Sequence, residues 1–312
     1  MANLTFQNFV EEVRSQITDF LPEEYEGATV EVVAVTKNNG TELTGLNIRK
    51  PGCNISPNIY LNDYYNDYIS GRMLESILLQ IARLRIDTDV AESFDTNIIS
   101  SFEKVTDYIY PKLVNYELNK DRLTEIPYIS FAGDLALLFY INASEFTKDL
   151  LVQSGAATIN ITNQLLDNWG ITVQDLKEVA LRNQRSSICF KTMREILAEM
   201  DPAYANILPE EDDPTMYVLS NNNKINGAAA ITDTDFLEGI KNELDSDLVI
   251  LPSSIHEVII IPKRKVDGVN DPETLKEMIG EVNGSELQPD EILSDRPYIY
   301  SGTKVEAFEA VA

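Results

Sequence analysis

Thr29-Val30-Glu31-Val32-Val33-Ala34-Val35, then Asn38-Asn39-Gly40, then the return run over 43–48, is the stretch that decides the fold class. Its first run is β-branched and partly alternating, which suits a pleated strand with one face buried. Asn and Gly tolerate the left-handed backbone that a tight connection needs. The spacing therefore predicts an antiparallel hairpin. Upstream, Phe6, Phe9, Val10, Val13, Ile17, Phe20 and Leu21 fall at helical spacing along one face. Asn3 or Thr5 supplies a cap and Pro22 a stop, so a helix precedes the hairpin.

Downstream the same alternation continues. Asn58-Ile59-Tyr60-Leu61 reads as a further strand, and Met73/Leu74, Ile77/Leu78 and Ile81/Ala82 as the buried stripe of a helix. The middle of the chain offers a strand near 110–118 and strands over 135–141 and 158–161. Helices are predicted over 163–169, 173–183 and 189–200. Met216-Tyr217-Val218-Leu219 and Ala228 to Ile231 look like a hairpin, followed by a helix over 233–244. Leu248-Val249-Ile250-Leu251 and the run from His256 to Ile261 make a second hairpin around Pro252-Ser253-Ser254. Asp271-Pro272 opens a helix over 271–282. After about residue 286 the tail is polar, and its last ten residues are expected to be mobile. The fold class is α+β, with mixed or antiparallel sheets covered by helices in two or three subdomains.

Boundaries follow from composition. Three prolines and the acids Glu210-Glu211-Asp212-Asp213 disfavour helix and strand alike, which places a linker at 201–214. The expected subdomains are 1–105, 106–200 and an acidic 215–312. Three stretches end in an Asn, Thr or Asp cap before a short helix that turns at Gly: those beginning at Asn58, Ala157 and Gly227. They raise the expectation of degenerate βα repeats, although shared capping chemistry alone produces such matches.

Among 312 residues, 25 Lys and Arg stand against 51 Asp and Glu, for a net charge of −26. Residues 211–312 hold 8 basic and 21 acidic groups, half of the excess. Such charge keeps a surface solvated, and it makes direct binding to a nucleic-acid backbone unexpected, because that affinity comes from Lys and Arg. The sharper alternative is an acidic face that imitates DNA and inhibits a nucleic-acid-binding defence enzyme. The first residues show no basic region followed by an apolar run, and no apolar run approaches the roughly 18 residues of a membrane helix. Cys53 and Cys189 form no CxxC pair and read as reduced thiols. A cytoplasmic protein without membrane association is expected.

Catalytic motifs are few. No phosphate-binding GxxxxGK[ST] or GxGxxG is present, and one histidine cannot make HExxH or complete a zinc site with two distant cysteines. No metal and no cofactor is expected. Leu251-Pro252-Ser253-Ser254-Ile255-His256-Glu257-Val258 carries the one serine–imidazole neighbourhood. On a strand, Ser254 and His256 share a face while Glu257 points away, so a hydrolase would use Ser254 as nucleophile without Glu257 as orienting acid. The plainer alternative is a hairpin turn with a packed His256 whose ring nitrogens are bonded. Tyr60, Tyr64, Tyr65 and Tyr68, set among Asn62, Asp63, Asn66 and Asp67, form a candidate protein-binding face. The alternative is that these tyrosines cover the sheet with their hydroxyls at the surface. Lys263-Arg264-Lys265 reads as solvated protection of a sheet edge.

Several runs carry a resemblance: Thr36-Lys37-Asn38-Asn39-Gly40, Ile59-Tyr60-Leu61-Asn62-Asp63-Tyr64-Tyr65, Lys112-Leu113-Val114-Asn115, Met193-Arg194-Glu195-Ile196-Leu197 and the stretch from Leu251 to Val258. Through them the chain resembles an uncharacterised bacterial family of unknown function, met in gut bacteria and on mobile elements. The resemblance implies a bacterial, cytoplasmic, accessory role and transfers no activity, cofactor or catalytic residue. The function expected from all of this is a non-enzymatic regulatory or interaction protein with a protein partner.

Overall fold

The computed structural model describes residues 3–54, 56–88, 96–145, 158–201, 214–266 and 271–309. The chain divides into two compact units: residues 1–99 with 142–158, and residues 100–141 with 159–312.

In the first unit, α1 (Phe6–Gln16) begins where Thr5 accepts the Asn8 N–H, as the sequence led one to expect. β1 (Thr29–Thr36) and β2 (Glu42–Arg49) pair antiparallel from Thr29↔Arg49 to Thr36↔Glu42, and β3 (Asn58–Tyr60) pairs with β2. Asn39 and Gly40 between β1 and β2 both have positive φ, at 56° and 69°. Two helices follow, α2 (Leu61–Ile69) and α3 (Leu74–Asp87). Phe9, Val13, Ile17, Leu46, Ile48 and Ile77 meet in the core of this unit. Arg85 of α3 lies in the same interior, donating from Nε to the Ile48 carbonyl at 2.7 Å with its guanidinium 5.0 Å from the Tyr25 ring.

The second unit begins with the one-turn helix α4 (Phe102–Val105) and carries two sheets. The smaller contains β4 (Ile109–Asn115), β5 (Ile129–Phe131), β6 (Leu135–Asn142) and β7 (Thr158–Asn160), with β6 pairing the other three. β6 is buried along its length, as a strand with neighbours on both sides and apolar cover should be. Helices α5 (Asn163–Trp169) and α6 (Val173–Arg185) follow, joined at Gly170 with φ of 67°. The larger sheet takes β8 (Ile188–Thr192), then α7 (Met193–Met200), β9 (Tyr217–Asn221), α8 (Thr234–Leu244), β10 (Leu248–Pro252) and β11 (Val258–Pro262). It ends with α9 (Lys263–Val266), α10 (Pro272–Ser285), β12 (Tyr298–Tyr300) and β13 (Val305–Ala307). The strand order is β13-β12-β10-β11-β9-β8, and its pairs are antiparallel. The α+β class holds.

Several expectations change. The stretch 201–214, of which 202–213 lie outside the described residues, does not separate one unit from another, because β8 before it pairs with β9 after it. The helix expected over 189–200 starts only at Met193. Thr192 and Glu195 close a capping box there, and Phe190 belongs to β8, stacked on Tyr217 across the strand pair. The hairpin expected from Ala228 to Ile231 is instead a buried 3₁₀ segment, Gly227–Thr232, and this removes the third βα repeat. The last ten residues do not fall outside the fold as a whole, since β13 is paired to β12. Lys263-Arg264-Lys265 forms α9, following β11, a strand with neighbours on both sides, and so guards no edge.

The 3₁₀ segment has a steric cause. A Cβ on Gly227 would lie 2.4 Å from Ser220 Oγ, 2.5 Å from the His256 carbonyl oxygen and 2.7 Å from the Asn221 nitrogen. Only a residue without a side chain lets this backbone approach β9. By contrast, a Cβ on Gly280 in α10 meets nothing within 4 Å. Gly227→Ala is expected to lower the urea-unfolding free energy by about 1–3 kcal/mol through overpacking. Gly280→Ala is expected to raise it by about 0.5–1 kcal/mol, through the entropy a helical glycine gives up on folding. Equal effects at the two sites would contradict the close approach.

Candidate functional site

A cleft of about 390 Å³ opens in the second unit, lined by residues of the β5–β6 turn, α6, the start of α8 and the β12–β13 turn. Its base is α6, whose N-terminus is fixed by a capping box in which Thr172 and Asp175 bond reciprocally. The Thr172 hydroxyl first, and its N–H second, both donate to the Asp175 carboxyl and hold it below the usual carboxylate range. Lys177, Leu181 and Arg185 follow at intervals of four and so rise along one face of the helix into the cleft.

Arg185 is held from two sides. Its Nε and Nη2 donate to the two oxygens of Asp233 at 2.6 and 2.9 Å, and Nη2 also donates to Asp235 at 2.6 Å. Asp233 is only 1% exposed, and its Oδ1 also accepts the Phe236 N–H as the cap of α8. A carboxylate that deep needs a cation, and the side-on fork of an arginine supplies one with two parallel bonds. The hydrogen bonds it donates to Asp233 first, and to Asp235 second, push the Arg185 guanidinium above its already high pKa. Lys304 also lines the cleft and pairs with Glu306 at 2.5 Å, whereas Lys177 makes no ion pair with a described residue. Phe131, Leu181 and Val305 supply apolar surface, and Ala132 at the rim holds a left-handed φ of 49°. An alanine in that region is strained by about 1–2 kcal/mol, a cost met where surrounding structure dictates the turn.

The residues nominated by the sequence lie elsewhere. Ser254 and His256 are in the connection between β10 and β11, not on a strand face. Ser254 Oγ accepts the backbone N–H of His256 at 3.0 Å. The His256 ring accepts the Asn226 N–H at Nδ1 at 3.1 Å, so its neutral form carries the proton on Nε2, which faces Glu291 Oε1 at 3.9 Å. Neither nitrogen has a lone pair left to take a serine proton. The His256 carbonyl accepts from Ser220 Oγ at 2.8 Å, against the same close contact that Gly227 makes. Burial pushes the imidazole pKa down, with Glu291 opposing.

The tyrosines divide. Tyr60 lies under the Lys37 ammonium, 4.3 Å from its ring centroid. Tyr64 is half-buried on α2, and burial first, then Asp67 and Asp63, push its hydroxyl up. Tyr65 and Tyr68 do not cover the sheet with free hydroxyls. They pack against Phe6 and Phe9 of α1, Tyr65 donating to the Leu4 carbonyl at 3.0 Å and Tyr68 accepting the Leu4 N–H at 3.4 Å. These two clasp the start of the chain, because an apolar ring with a polar tip suits a seam between helices.

The sequence offers Asp233 only as the first position of a predicted helix, and none of Lys177, Arg185, Asp235 and Lys304 stands out in it. Arg185 sits 48 positions from Asp233, and nothing local in either segment announces the other. Among the described residues no cluster of three His, Cys, Asp or Glu side chains is arranged to hold a metal. No described helix is long and apolar enough to cross a membrane.

No curated protein and no solved structure matches the chain. A family model described as a family of unknown function (DUF5688) matches residues 6–302, which takes in the hairpin, the cleft and the His256 connection alike. The chain belongs to that family.

Proposed function

We propose that the protein works by binding, as a non-enzymatic regulatory or interaction protein of the bacterial cytoplasm whose partner is another protein. The observation that carries this reading is the commitment of the lone imidazole and its neighbouring serine to backbone groups. The one nucleophile–base pair in the sequence serves the fold. Large apolar side chains that remain open on and between α2 and α3, Ile69, Met73, Leu79 and Ile86, supply the kind of surface a partner covers.

The acidic third favours this reading over DNA mimicry. Asp233, Asp247 and Glu306 pair with Arg185, Lys241 and Lys304, Asp271 caps α10, Glu238 accepts from Tyr300, and Glu291 accepts from the Gln288 N–H. Carboxylates with these duties serve the chain's own groups.

A fluorophosphonate probe, which marks activated serines, should leave Ser254 unlabelled. A photo-crosslinker placed at Leu79 should give one discrete protein adduct in cell extract. Labelling of Ser254 that His256→Ala abolishes would replace the binding reading with a hydrolase.

The structural role of His256 also has a pH signature. Its folded pKa is depressed by burial, so below roughly 6.5 the unfolded chain takes up a proton that the folded chain resists. Stability contributed by the neutral ring is present above that pH and declines as pH falls toward the folded pKa. His256→Asn keeps an acceptor for the Asn226 N–H and removes the titration. Urea melts at pH 7.5, 6.5 and 5.5 should show a smaller loss for the variant than for the parent. Parallel losses would remove the imidazole from this account.

A further inference from the structure

The sheet of the first unit has β1 at one end, bonded to β2 and to no other strand among the described residues. Bonds at the hairpin and on β2 tell which backbone groups of β1 are already used. Lys37 donates its N–H to the Thr41 carbonyl, and these two stand opposite each other when the β1–β2 register is continued. Alternate residues of an antiparallel strand bond to the same neighbour, so the odd residues of β1 face β2. The far side of β2 agrees. There the Thr44 N–H donates to Asn62, and the Ile48 carbonyl accepts from Ser56 and Arg85, so the even residues of β2 point away from β1. Val30, Val32, Ala34 and Thr36 therefore turn their N–H and C=O groups to the open edge. None of these groups bonds to a described residue. Edges of this length are ordinarily blunted by a lysine, a proline or a bulge. β1 has none of the three: its register runs unbroken from Thr29 to Thr36, and its one charge is Glu31.

We propose that a second copy of the chain covers this edge, the two β1 strands running antiparallel across a two-fold axis at Val33. In that register the strand is its own complement. Val30 stands opposite the partner's Thr36 and Val32 opposite the partner's Ala34, so every outward residue exchanges bonds in both directions. Val32, 37% exposed in the single chain, gains a covering side chain. On the other face Val33 meets the partner's Val33, and Glu31 lies diagonal to the partner's Lys37, within reach of long side chains. Neither Glu31 nor Lys37 makes an ion pair with a described residue; Lys37 only rests over the Tyr60 ring. An axis at Glu31 would set two like charges opposite each other, which disfavours that register. The net charge of −26 opposes the approach of two copies, and salt screens this repulsion. The contact itself is made of backbone bonds and valines, so salt tightens it. A basic strand from another protein would respond in the opposite sense. The proposal goes beyond the interaction reading and does not depend on it.

Sedimentation equilibrium of the full chain, up to about 100 μM in low salt and in about 0.5 M salt, tests it. A monomer–dimer equilibrium that tightens with salt is expected. Val32→Pro removes an outward donor and leaves the β1–β2 bonds in place. It should weaken the dimer at least about tenfold, since symmetry deletes two hydrogen bonds at once. Val33→Cys sets two thiols across the axis, where facing Cα atoms of a non-hydrogen-bonded pair are about 4.5 Å apart, within disulfide reach. Mild oxidation should then link two chains through position 33, as read by mass spectrometry of the joined peptides. Val35→Cys, which faces the partner's Glu31, should not link through its own position. A chain that stays monomeric in both salts overturns the proposal. So does a dimer that loosens with salt, that Val32→Pro leaves at parent affinity, or that links equally through both positions. The two cysteine variants keep the parent backbone, so they decide even where the proline disturbs folding.

Discussion

A carboxylate at 1% exposure has to be neutralised where it sits, and Asp233 is the residue on which the second unit turns. Water cannot solvate it, so the Arg185 fork and the Phe236 N–H take water's place. Only the carboxylate is buried, since Arg185 is half exposed, so it is removal of the arginine that strands a charge. The constraint acts on geometry as much as on stability. Arg185 is the last residue of α6 and Asp233 is the cap of α8, so the pair fixes the end of α6 against the start of α8. Further back on α6, Asn183 donates to the carbonyls of Thr106 and Ile109, which fastens the helix to the start of β4. The orientation of Lys177 and Leu181 in the cleft follows from these ties.

The same requirement, that buried polar groups be answered, explains the lone histidine. The chain has to turn from β9 into the 3₁₀ segment with Asn226 at a φ of 55°, which leaves an amide pointing inward. His256 Nδ1 answers it. Ser254 answers the His256 amide, and Ser220 answers the His256 carbonyl. Gly227 then fits only because it has no side chain. A serine two residues from a histidine looks like chemistry in one dimension. In three dimensions each of the two satisfies a backbone group that the bend would otherwise leave without a partner.

What could be read from the sequence was what is decided within a few residues. The β1–β2 hairpin, the Thr5 cap, and the helices opened by Thr162, Thr172, Asp233 and Asp271 are written in side chains next to the backbone groups they satisfy. The 189–200 segment misleads because Phe190 falls at helical spacing with Met193 and Leu197, while the Thr192–Glu195 box starts the helix later. β5, β12 and β13 have three residues each, too few for a period to show; β5 and β12 pair with a longer neighbour that offers hydrogen-bonding partners, and β13 pairs in turn with β12. The cleft was illegible for the same reason. Its lining comes from positions near 131, 181, 233 and 304, and only the pairing of strands brings these together.

Charge operates here on two length scales that should be kept apart. At long range the protein presents −26, a field that favours basic partners and falls off over about 8 Å in physiological salt. At contact range some of the carboxylates are individually assigned: Asp271 to a helix cap, Asp247 and Glu306 to lysines, and Glu238 to a tyrosine hydroxyl. The cleft beside α6 is the clearest instance: a strongly acidic chain has built a site whose own charges balance and are only displaced from one another. Displacement without net charge is a property of geometry, and in this unit that geometry is set by Arg185 on a buried aspartate.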